Sequence, residues 1–146
     1  MITKKSKGFT IIELLVVVAI IAVLAAIVLV NVTQYIAKGK NASIKGNMST
    51  IRTNAAVWYD GQSPSTYVGF AANSTYANPA AAITANGGTP IEVETASKFC
   101  ACTTMNVTNT EPTNSTFCVD SAGYAKVTQN AGLCATRCPA AAACID

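Results

Sequence analysis

The sequence predicts an α+β protein, with one long N-terminal helix packed on a small antiparallel, disulfide-bearing sheet. Three observations predict it. Residues 14–30 (LLVVVAIIAVLAAIVLV) hold no polar side chain. Ile44, Met48, Ile51, Ala55 and Trp58 then recur at spacings of four, three, four and three, which lines one face of a helix. Beyond Asp60 short alternating apolar runs separated by turn residues read as strands, and all six cysteines fall in the last 47 residues.

The first element is a helix of around fifty residues. Residues 9–30 span roughly 33 Å as a helix, enough to cross a bilayer core. Residues 31–59 continue it as an amphipathic helix, with Lys40, Lys45 and Arg52 between the apolar positions. No proline occurs before Pro64, so nothing in the sequence forces a break between Phe9 and Tyr59. Gly39 and Gly46 weaken the interior by about 1 kcal/mol each relative to alanine.

Residues 60–146 form a separate globular head. Asn78-Pro79 followed by AAAITA and Asn86-Gly87-Gly88 predicts a short helix capped by Asn78 and stopped by glycine. Ile91-Glu92-Val93-Glu94 alternates as a half-buried strand does. Thr116–Asp120 and Tyr124–Thr128 flank Ser121-Ala122-Gly123, a hairpin with glycine in its turn. Residues 103–115 read as an exposed loop, and the tail from Gln129 as loose unless stapled.

Charge and cysteine usage exclude several function classes. Hydrophobic residues make up 51% and charged residues 12% of the chain, too apolar for intrinsic disorder. Lys4, Lys5 and Lys7 carry the whole net charge of +3, because the remaining seven basic residues balance seven acidic ones. A basic leader before an apolar run is a membrane-targeting arrangement, so the charge does not indicate nucleic acid. Without a histidine the commonest general base is missing, and no nucleophile has a recognisable base partner. The chain is not expected to be an enzyme and no cofactor is indicated. Cys100, Cys102, Cys118, Cys134, Cys138 and Cys144 read as disulfides of an exported domain, with fifteen possible pairings. Zinc, for which Cys134 and Cys138 are tolerably spaced, is the rival reading. Cys100 and Cys102, as alternate residues of a strand, should not pair with each other; the tail should instead be tied to the sheet through Cys118, Cys100 or Cys102.

The segment Lys7-Gly8-Phe9-Thr10-Ile11-Ile12-Glu13-Leu14, with its basic leader and apolar run, resembles the start of bacterial type IV pilins and of the pseudopilins of type II secretion and competence systems. The resemblance covers about residues 4–30. It implies that residues 1–8 are a leader cut after Gly8 by a prepilin peptidase, that the new amine of Phe9 is N-methylated by the same enzyme, and that Glu13 guides assembly. It further implies a single-pass precursor in the cytoplasmic membrane, an inner-membrane assembly platform as partner, and a homo-oligomeric helical filament on the cell surface. Where many relatives carry a proline near the end of the apolar run, this chain has Val28-Leu29-Val30-Asn31. Independently of the family, a carboxylate at Glu13 is expensive in a transmembrane stretch and marks function. Two alternatives remain: a pseudopilin of a secretion or DNA-uptake apparatus, and an exported disulfide-bonded binding module with an ordinary signal peptide cut near Val23-Leu24-Ala25.

Two weaker patterns complete the reading. Glu92, Glu94 and Asp120 could bind calcium, but their spacing is not that of an EF-hand. Asn-x-Ser/Thr triplets begin at Asn31, Asn41, Asn47, Asn73, Asn106 and Asn114, weak evidence of modification in a chain rich in these residues.

Overall fold

In a computed structural model, residues 8–129 and 133–145 are described. The basic residues Lys4, Lys5 and Lys7 of the expected leader lie outside them. The chain divides into two compact units, residues 1–35 and 36–146. Helix α1 (Ile11–Gly61) contributes its first part to one unit and its remainder to the other.

In the first unit the helix begins at a reciprocal cap. The backbone N–H of Thr10 donates to Glu13 Oε2 at 2.9 Å, and Glu13 N–H donates to Thr10 Oγ1 at 3.3 Å. The side chains of Phe9 through Leu29 find no core within this unit: its large apolar residues are 46–78% exposed.

The second unit is built on a four-stranded antiparallel sheet of order β1-β2-β3-β4. The strands are β1 (Pro90–Glu94), β2 (Phe99–Thr104), β3 (Thr116–Asp120) and β4 (Ala125–Thr128). Register sets two faces. Ala101 lies opposite Val119 and Thr103 opposite Phe117, whereas Cys102 lies opposite Cys118 and Cys100 opposite Asp120. Because side chains alternate along a strand, one face carries Phe99, Ala101, Phe117 and Val119 and the other carries the cysteines.

The first face packs on the amphipathic part of α1. Ile44, Met48, Ile51 and Ala55 are each at most 1% exposed and join those four sheet residues, Phe70 and Ile83 in one core. The stripe read from spacing is therefore core, with Trp58 packed at its edge. Two polar ties pin the loop after β2 to the helix. Asn41, itself buried, donates to the Asn106 carbonyl at 2.8 Å and accepts from Asn106 N–H at 2.9 Å. Lys45 Nζ meets Glu111 Oε1 at 2.8 Å.

Three local expectations are corrected. Helix α2 runs from Ser74 to Ala85 and is capped by Asn73, whose side chain accepts from Thr75 N–H, not by Asn78. Pro79 therefore sits inside the helix, where it withholds an N–H from the carbonyl four residues earlier. That carbonyl, of Thr75, instead accepts from Asn54 Nδ2 of α1 at 2.7 Å, and the helix runs on through Pro79. Thr103 and Thr104 are not loop: they pair with Phe117 and Thr116 and extend β2. Tyr124 precedes β4 rather than opening it, and Gly123 holds the hairpin turn at φ +102°.

Candidate functional site

The N-terminal segment combines an exposed junction with a capped helix start. Gly8, Phe9 and Thr10 are all exposed and precede the first helical residue. Glu13 occupies the third helical position, where its carboxylate satisfies an otherwise orphaned N–H of the first turn and takes a further bond from Thr10 Oγ1 at 2.8 Å. The carboxylate thus has an intrachain partner before any neighbour is considered. Sequence reasoning gave Thr10 no role, although Thr10-x-x-Glu13 is a capping-box spacing and could have been read as one.

The other face of the sheet holds the sulfur. Cys100 joins Cys138, Cys102 joins Cys134, and Cys118 joins Cys144, with Cα–Cα distances of 5.8, 5.4 and 6.1 Å. Every bridge runs from a strand to the tail, and Cys100 and Cys102, side by side on β2, do not pair with each other. The cluster under the tail is made of these cysteines and Ala142, with Ile91, Val93 and Tyr124 packed at its border. Short helix α3 (Cys134–Arg137), opened by Cys134 and followed directly by Cys138, packs on β2.

The three acids considered for calcium do not converge. Glu92 and Glu94 alternate with Ile91 and Val93, so they lie on the face opposite the cysteines, while Asp120 shares the cysteine face. Glu94 accepts from Gly69 N–H at 2.6 Å and Ala71 N–H at 3.2 Å, fixing the 3-10 turn (Phe70–Ala72) that carries Phe70 into the core. Asp120 is spent on Ala122, Tyr124 and Cys144 N–H groups. Burial, then the charge of Glu94, pushes the Glu92 carboxyl up to about 7. Glu111 is held down to about 2 by hydrogen bonds from Lys45 and Thr108. Among the modification triplets, Asn41 is buried and Asn106 spends its amide on Asn41 and the Asn86 carbonyl.

The pattern of the prokaryotic N-terminal methylation motif matches residues 3–29, the stretch that holds the Gly8-Phe9 junction, Glu13 and the exposed apolar helix. The N-terminal segment is thus similar to that of type IV pilins. The chain is similar to Fimbrial protein Q of Moraxella bovis, 39% identical over 84 residues. That match covers 57% of this chain and 51% of the relative. The Type IV major alpha-pilin of Moraxella bovis is 41% identical over 59 residues, 40% of this chain and 37% of the relative. The chain thus spans about half or less of the length of these curated relatives. No solved structure matches.

Proposed function

We propose that this chain is the structural subunit of a type IV pilus-like filament, with no catalysis of its own. In this reading a prepilin peptidase removes residues 1–8 and methylates the Phe9 amine. The chain waits in the cytoplasmic membrane, and an inner-membrane platform then feeds it into a surface filament held together by its N-terminal helices. The observation that carries the proposal is the methylation motif standing on a helix whose large apolar side chains from Phe9 to Leu29 are 46–78% exposed. An apolar surface of that extent requires lipid or other copies of itself. Relatives named as a fimbrial protein and a pilin favour a pilus over a secretion pseudopilus.

Glu13 has two jobs in this reading. Within the chain it caps the helix; within the filament it meets the Phe9 amine of a neighbour among packed apolar helices, where neither charge can remain unpaired. Removing one partner of a buried pair costs about 3–5 kcal/mol. The test is Glu13→Gln expressed in place of the native gene. Glutamine keeps an acceptor for Thr10 N–H and lowers the cost of insertion, so membrane levels and cleavage after Gly8 should be unchanged while sheared filaments are lost. Normal filament yield from processed Glu13→Gln protein refutes the assembly role. A mature mass that does not begin at Phe9 carrying one methyl group refutes the pilin maturation.

A further inference from the structure

Five of the six cysteines are buried, and Cys144 alone is only partly so. Its bridge does not stand apart from the next one. Cys100 Sγ lies 3.6 Å from Cys118 Sγ and 3.5 Å from Cys144 Sγ, so the Cys118–Cys144 and Cys100–Cys138 bridges touch sulfur to sulfur. Besides the bridges, Cys144 N–H ties the tail to Asp120 Oδ2 at 3.0 Å. The tail contributes Ala142 and cysteines to the cluster beneath it, but no large apolar side chain. It also buries Arg137 at 2% exposure, with one hydrogen bond from Nη2 to Tyr124 Oη at 2.8 Å and no partner for Nε or Nη1. A buried guanidinium with two orphaned donors opposes docking.

From this arrangement we propose that Cys144 is a site of attack by external thiols, and that attack there passes inward to release the tail from the sheet. A thiolate attacks Cys144 Sγ; the Cys118–Cys144 bond breaks, a mixed disulfide forms at Cys144, and Cys118 leaves as a thiolate. Cys118 then attacks Cys100 Sγ, 3.6 Å away. The Cys100–Cys138 bond breaks, a Cys100–Cys118 bond forms between β2 and β3, and Cys138 leaves as a thiolate that takes a proton from water. Three disulfides precede the exchange and three follow it, counting the mixed one, so no oxidant or reductant is consumed. Cys102–Cys134 is then the one covalent tie between tail and sheet, and Arg137 can reach water once the remaining hydrogen bonds open.

Burial and sulfur spacing both direct this order. Cys102, Cys134, Cys100, Cys138 and Cys118 are each at most 5% exposed, whereas Cys144 is the partly exposed member of the set. The leaving sulfur of Cys118 is already in contact with the next bridge.

The experiment uses the full chain in detergent, treated with one equivalent of glutathione, quenched in acid, alkylated with N-ethylmaleimide and mapped without reduction. The expected first product carries glutathione on Cys144, N-ethylmaleimide on Cys138 and a new Cys100–Cys118 link. Alkylated Cys118 with Cys100–Cys138 intact overturns the inward transfer. First modification at Cys102 or Cys134 overturns Cys144 as the entry. As a second measurement, the Cys118→Ser/Cys144→Ser chain should react with glutathione at least ~10-fold more slowly than the wild type, because the accessible sulfur is gone. An unchanged rate, with the Trp58 emission of the folded head retained, also overturns the proposal.

Discussion

Glu92 should make the head less stable as pH rises from about 4.5 towards neutrality. Its carboxyl lies on β1 beside Glu94, with Tyr76 of α2 nearby, and Oε1 is buried without a hydrogen-bond partner. The charge of Glu92 in turn contributes, after burial, to pushing the Tyr76 hydroxyl up to about 12. The folded chain therefore binds the Glu92 proton more tightly than the unfolded chain, whose carboxyl titrates near the ordinary 4.5. Stability from this group is fully present below pH 4.5, declines between 4.5 and about 7, and is gone above that. Moving a carboxyl across that interval corresponds to at most about 3 kcal/mol. Glu92 is only half-buried, and water screens it, so about 1–2 kcal/mol is expected. The assay is urea unfolding of the detergent-solubilised chain with disulfides intact, followed by emission of the single tryptophan, Trp58, from pH 5 to pH 8. Glu111 does not confuse the measurement: its depressed carboxyl withdraws stability only as pH falls from 4.5 towards about 2. Glu92→Gln keeps a neutral side chain of the same shape and should flatten the profile. A wild-type profile that is flat or rising over this range, or a slope that survives Glu92→Gln, refutes the reasoning.

Other substitutions test the packing of the same unit. Glu111→Gln should lower stability at pH 7 by about 1–3 kcal/mol, since it weakens charge-assisted bonds to Lys45 and Thr108, and the difference from wild type should vanish near pH 2 in the same urea assay. Met48→Ala empties a fully buried position between helix and sheet and should cost about 2–5 kcal/mol by urea unfolding. Gly88→Ala places a Cβ 2.7 Å from both Ile83 Cγ2 and Thr103 Oγ1, so overpacking of about 1–3 kcal/mol should appear as a lowered melting temperature. Gly46→Ala meets nothing within 4 Å on the helix surface and should raise stability by about 0.5–1 kcal/mol in the solubilised chain.

Local periodicity carried much of the architecture. An apolar run without breakers followed by a three-four stripe dictates a long helix whatever surrounds it, and α1 from Ile11 to Gly61 follows from that pattern. The alternation at Ile91–Glu94 and the glycine turn at Gly123 are likewise properties of a few adjacent residues, and β1, β3 and β4 lie where those residues put them within one residue at each end. The methylation motif was legible for the same reason, being a linear signal. The start of α2 was misplaced because the donor that replaces the N–H withheld by Pro79 comes from Asn54, distant in sequence.

Tertiary structure alone decided the rest. Six cysteines in a row of text allow fifteen pairings; the register of β2 against β3 places Cys102 opposite Cys118 and Cys100 one step along, and the path of the tail then selects the three bridges. That register also splits Glu92 and Glu94 from Asp120, since side chains two apart share a face and a strand's neighbours decide which face is covered. The partnerless donors of Arg137 have the same origin: its Nε and Nη1 become buried where the flanking Cys134 and Cys138 bridges hold the tail against the sheet.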